Sequence, residues 1–138
     1  MKPFEVIEHT ADAGIRAYGK DLRELFINAA AGMFSLITNI TCVKPARKID
    51  IDLVASDKEE LIHNWLSELL YQHIFHHMLL CQFHIEEIDE QTVKGHAMGE
   101  RIDDTKHELI KELKAVTYHG IRIEKQDNYL TTQIIFDV

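Results

Sequence analysis

Between residues 21 and 38 the sequence admits little besides one amphipathic helix. Asp21-Leu22-Arg23-Glu24 has capping-box form, in which an acidic cap and a glutamate three residues on satisfy free N–H groups of the first turn. Behind it Leu22, Leu25, Phe26, Ala29, Ala30, Met33, Phe34 and Ile37 recur at helical spacing and make a single apolar stripe. Asn39 and the β-branched residues around it end the helix near residue 38. Such a stripe must be buried against another element, so the rest of the chain has to supply a face for it.

That face reads as β. Segment 4–8 alternates as a strand, and 13–18 follows a turn through His9-Thr10-Ala11-Asp12, with Ala13, Ile15 and Ala17 on one side. Residues 48–55 set Ile49, Ile51 and Leu53 against Asp50 and Asp52, the pattern of a half-exposed strand. Asp57-Lys58-Glu59-Glu60 opens a second helix lined by Leu61, Ile62, Trp65, Leu69, Leu70 and Ile74. After residue 80 strands are expected at 82–89, 92–101, 112–125 and 129–137, with a short helical turn around 104–110. Two long helices among six or more strands, without strict βαβα alternation, predict an α+β two-layer sandwich. A mostly antiparallel sheet would carry both main helices on one face. The 138 residues contain no linker, repeat or low-complexity tract, so a single domain over 1–138 is expected.

Composition narrows the chemistry. Cys42 and Cys81 lie far apart and outside any C-x-x-C pattern, which argues against a disulfide framework or a cysteine zinc site and fits a reducing cytoplasm. The N-terminus runs into a strand-like segment without an apolar targeting region, and the apolar runs fall short of a membrane span. A cytoplasmic protein with no membrane partner is expected. The net charge is −8 and no basic run exceeds two residues. Phosphate contacts depend on lysine and arginine, so direct, tight RNA binding is disfavoured. Metal ions or a basic protein partner suit an acidic chain better. No phosphate-binding glycine loop, dinucleotide fingerprint or nucleophile elbow is present.

Four places could carry chemistry. Asp12 sits in the loop His9–Gly14 between two short strands, where a carboxylate can project from a firm base. Its plain alternative is a turn hydrogen-bond acceptor. At the other end Ile134, Ile135 and Phe136 lead to Asp137 and Val138, placing a side-chain carboxylate beside the α-carboxylate. Concentrated anionic oxygens suit a hard cation such as calcium or magnesium; the alternative is a solvated chain end. Lys114, among the apolar and β-branched residues of 113–119, either places an ammonium among acids or points to solvent. His73 and His77 form an i, i+4 pair at the end of the second helix, with His76 between them. A third zinc ligand is missing, and histidine at a helix C-terminus is favoured by the macrodipole in any case.

Taken in order, three segments resemble the archease family. They are Glu8-His9-Thr10-Ala11-Asp12-Ala13-Gly14-Ile15 with the helix Leu22 to Phe34, the helix Glu60 to Tyr71, and Leu113-Lys114-Ala115-Val116-Thr117-Tyr118-His119 closed by Ile135-Phe136-Asp137-Val138. The resemblance implies a metal-binding protein cofactor rather than an enzyme. Such a protein activates the GTP-dependent tRNA-splicing RNA ligase by promoting guanylylation of its active-site histidine and multiple turnover. Asp12, Asp137 and the terminal carboxylate of Val138 match the metal ligands, with Lys114 and His9 in support nearby. Calcium is the implied cofactor, with magnesium or manganese as alternatives. A chaperone-like modulator of RNA-processing enzymes is the second reading and a stand-alone metal-dependent phosphoesterase the third. Lys20, Gly120 and the histidine-rich 73–77 segment depart from the family pattern.

Overall fold

The computed structural model describes residues 2–7 and 12–138. Elements run β1 (Phe4–Ile7), β2 (Ala13–Gly19), α1 (Leu22–Ile37), a 3-10 turn (Ile40–Cys42), β3 (Arg47–Val54), α2 (Lys58–His76), β4 (Met78–Ile88), β5 (Thr92–Arg101), β6 (Ala115–Val116), β7 (Glu124–Gln126) and β8 (Tyr129–Asp137). The strands form two sheets, β1-β2-β8-β6 with β7 also on β8, and β3-β5-β4. Every pairing is antiparallel. The α+β expectation holds, with two sheets where the pattern suggested one.

Helix α1 forms where its capping residues and stripe place it. Asp21 Oδ1 accepts from the Glu24 N–H at 2.9 Å. Glu24 reaches back one residue further than the standard box and takes the Lys20 N–H at 3.0 Å. Leu25, Phe26, Ala29, Ala30, Met33, Phe34 and Ile37 are fully buried. The helix packs on β2 and β4, while α2 packs on β3, β4, β5 and β6, so both helices bridge the two sheets. Gly32 makes the approach of β1 and β2 possible: a Cβ there would lie 2.9 Å from Ile15 Cδ1 and 3.1 Å from the Phe4 ring. Between the helices Trp65 donates from Nε1 to the Phe26 carbonyl at 3.0 Å, so its one polar atom is satisfied inside the core.

Three expectations shift. The strand expected from residue 82 starts at Met78, because His77 caps α2 in the left-handed region (φ 57°) and turns the chain directly into β4. The strand expected over 112–125 is reduced to Ala115–Val116 and Glu124–Gln126. Both pieces pair with β8, and between them the chain leaves the sheet through Gly120, whose φ is +63°. The helical turn expected around 104–110 is a single turn, held by the Lys106 and His107 N–H groups on the Asp103 carbonyl at 2.9 and 2.8 Å.

Candidate functional site

The final strand is flanked on both sides at its C-terminal end. On one side β2 pairs antiparallel with β8, and the ladder opens at Ala13 opposite Phe136. Asp12 immediately precedes that pair and Asp137 immediately follows it, so both acids leave the same end of the ladder. On the other side β6 pairs Ala115 with Asp137 and Val116 with Phe136. Lys114 precedes Ala115 and donates its backbone N–H to the Asp137 carbonyl at 2.8 Å. Val138 follows Asp137 and is 45% exposed. Segments more than 100 residues apart in sequence thereby place Asp12, Lys114, Asp137 and Val138 at one sheet end. His9 lies outside the described residues.

A second lysine joins this end. A cavity of about 80 Å³ is lined by Asp12, Gly14, Val6 and Leu36 together with Lys111. The sequence offered no local signal for Lys111, which stands in a stretch without regular structure. Its position is nonetheless well tied. The Ile110 N–H donates to the Ile37 carbonyl at 2.7 Å, and Thr38 Oγ1 donates to the Glu108 carbonyl at 2.6 Å. These contacts use polar groups at the C-terminus of α1, one of them a carbonyl with no partner inside the helix. Further back, Glu100 accepts from Lys106 Nζ at 2.7 Å, from the Lys44 N–H at 2.7 Å and from His107 Nε2 at 3.0 Å. The Lys106 ammonium first, then the Lys44 N–H, hold the Glu100 carboxyl at about 2, well below the usual carboxylate range. His107 Nδ1 accepts from the Asp103 N–H at 3.0 Å, which leaves the ring proton on Nε2 to face Glu100.

The donor set at the sheet end consists of hard oxygens, which fits calcium, magnesium or manganese and disfavours a thiolate-seeking ion. Among the described residues no three His, Cys, Asp or Glu side chains form a metal-holding group. A complete site would draw on the Val138 carboxylate beside Asp12 and Asp137.

The other candidates have structural work. His73 Nδ1 bonds the Met78 carbonyl at 2.9 Å and its ring meets Phe34 edge-on at 6.1 Å between centroids. Burial pushes its pKa down. His77 is the left-handed cap of α2. Cys42 and Cys81 are free thiols, and burial pushes that of Cys81 up, away from the reactive thiolate. Among the described residues no helix is long and apolar enough to cross a membrane.

Fold and site together define a small α+β protein whose most distinctive polar chemistry collects at one end of its larger sheet. Residues 4–138 match the archease protein family (MTH1598/TM1083). A protein archease of Sulfurisphaera tokodaii is 39% identical over 140 residues, with all of both chains covered. The solution structure of Methanobacterium thermoautotrophicum protein 1598 superposes with a TM-score of 0.81 at 38% identity over the whole of both chains. A Thermotoga maritima protein, described as an archease and possible chaperone, shares the fold with a TM-score of 0.66 at 19% identity, over 96% of this chain and 94% of its own. The chain belongs to the archease family.

Proposed function

We propose that this protein is a cytoplasmic accessory factor, not itself an enzyme. It activates a GTP-dependent tRNA-splicing RNA ligase by promoting guanylylation of the ligase histidine and repeated turnover. Asp12, Asp137 and the α-carboxylate of Val138 hold a divalent cation, calcium in the first instance, and Lys114 balances charge beside them. The observation that carries this reading is the convergence of Asp12, Asp137 and Lys114 at the end of β8. Held by Asp12, Asp137 and the Val138 carboxylate, a divalent ion would supply positive charge for phosphate chemistry on the partner. The protein's own residues supply the rest: β8 presents Asp137, the start of β2 presents Asp12, the Asp137 carbonyl holds Lys114, and the segment tied to Thr38 carries Lys111. The chaperone description of the Thermotoga relative favours a second reading, a protein that modulates RNA-processing enzymes by binding alone.

One experiment separates the two. The ligase is assayed for guanylylation and multiple turnover with wild-type protein, Asp12→Asn and Asp137→Asn, while calorimetry follows calcium binding. Loss of calcium binding and of stimulation in both variants, with retained ligase binding, is expected. Full stimulation by either variant would transfer the role to binding alone. Residues appended after Val138 convert its carboxylate to an amide, and calcium affinity should fall while the fold persists. Unchanged affinity would remove Val138 from the set.

A further inference from the structure

Next to the acidic end lies an apolar feature that the fold does not use. Tyr71, Phe75 and Tyr118 are 45%, 65% and 62% exposed, although α2 is already packed through Leu61, Ile62, Trp65, Leu66 and Leu69. Tyr71 and Phe75 are an i, i+4 pair on the open side of α2, their ring centroids 4.9 Å apart. Tyr118 stacks on His63 at 3.7 Å and 15°. His63 is fixed in turn by the Val116 carbonyl on Nε2 at 2.9 Å and by Asn64 Oδ1 at 3.2 Å. Between α2 and β6 runs a groove of about 350 Å³, lined by the buried Leu70 and Val116 together with Tyr71, Phe75, His63 and Lys114. Rings held this way lose little freedom on binding, and exposed tyrosines around an apolar floor are the usual anchors of a protein interface.

Charge selects the occupant. The chain carries −8, and the groove lining includes one lysine and no arginine, too little to hold an RNA backbone. A second copy would bring −8 against −8. A folded protein with an apolar side chain on a basic surface satisfies both the rings and the net charge of −8 on this chain. Continuity points the same way: Lys114 lines the groove, and its backbone N–H is bonded to Asp137 of the acidic end.

We infer that the groove between α2 and β6 is the docking site of the activated ligase, which inserts an apolar side chain beside the Tyr71–Phe75 pair, against the His63 ring that Tyr118 backs. This rests on the activator reading, because the groove matters to function only if the acidic end acts on the docked protein. The groove sets affinity and the acidic end sets the effect. Docking by an apolar anchor survives salt in the dissociation rate, while charge outside the groove sets a salt-sensitive association rate.

The test uses Phe75→Ser and Tyr118→Ser, both at exposed positions, with thermal melts to verify folding. Surface binding to the ligase gives Kd, and a stimulation titration gives the half-maximal concentration and the maximum. Each variant should raise Kd and the half-maximal concentration at least ~10-fold. Maximal stimulation and calcium affinity should stay at the wild-type value, and Asp12→Asn should show the converse. Wild-type Kd in both variants overturns the inference. So does a variant that changes only self-association by sedimentation, or only RNA retardation. If the wild-type protein binds through the groove without stimulating, the activator reading fails and the docking surface stands.

Discussion

Replacing Thr38 by valine tests whether the α1 terminus positions the lysine-bearing segment. Thr38 is 2% exposed, and its hydroxyl donates to the Glu108 carbonyl at 2.6 Å. Valine keeps the shape and deletes that donor. Loss of the bond costs about 1–1.5 kcal/mol, and the Glu108 carbonyl left behind adds about 1 kcal/mol, softened because Glu108 is exposed. The new buried methyl returns about 0.8 kcal/mol. The net is about 1–1.5 kcal/mol, equivalent to roughly 3–5 °C in Tm for a domain of this size. The informative readout is local. The Ile110 amide, bonded to the Ile37 carbonyl at 2.7 Å, lies two residues from the lost contact. Its hydrogen-exchange protection should fall about 5- to 10-fold, and more than that of core amides such as Leu79 where local opening dominates. Chemical denaturation at unchanged m checks the global value. If stability and Ile110 protection both stay at wild-type values, Thr38 does not hold the segment around Glu108 and Ile110, and the account of how Lys111 is placed is wrong.

Two further outcomes follow from the same contacts. Glu100 has its folded pKa lowered to about 2 from an ordinary 4.5, so its stabilisation is complete above pH 4.5 and disappears as pH falls through the folded value. Glu100→Gln should flatten the acid limb of the stability curve between those pH values, and an acid limb unchanged in the variant would contradict the cluster. Gly99 faces Leu79 across β5 and β4 so closely that an added Cβ would run into the Leu79 carbonyl. Gly99→Ala should therefore destabilise by at least about 2 kcal/mol in urea unfolding, and a wild-type midpoint would show that the sheet yields there.

Helices were more legible in this chain than strands, and single site residues more than their assembly. Asp21, Glu24 and the stripe from Leu25 to Ile37 encode α1 locally, since capping and period need only near neighbours. The 112–125 stretch misled for the opposite reason. Its β-branched and apolar residues resemble one strand, but a strand needs a partner along its whole length, and Gly120 takes the chain out of the sheet before Glu124 returns. Asp12 and Asp137 could each be singled out by position in the sequence. That they share a sheet end depends on the β2–β8 register, a long-range pairing that no local pattern contains. Lys111 was invisible because its place comes from Thr38 and Ile37, two residues that sequence reading assigned only to the end of a helix.

The arrangement gives a physical reason for siting charge at the end of a ladder. Inside a sheet, adjacent side chains on one face are committed to cross-strand partners, and two acids opposite one another cost stability. One residue past Ala13–Phe136 the β2–β8 register ends, while β6 still pairs Ala115 with Asp137 and keeps a firm base under that carboxylate. β8 is paired on both sides there, by β2 and by β6, which makes its last residues better fixed than an ordinary chain end. The two lysines have different supports: Lys111 stands in an irregular segment tied to the terminus of α1, while Lys114 is tied to β8 through the Asp137 carbonyl. Lys111 is therefore held by a different support from the acids, whereas Lys114 shares the support of Asp137 on β8. A docked protein that presses on the groove beside β6 would act on Lys114 through its own strand. Asp12 would feel that pressure only through β8.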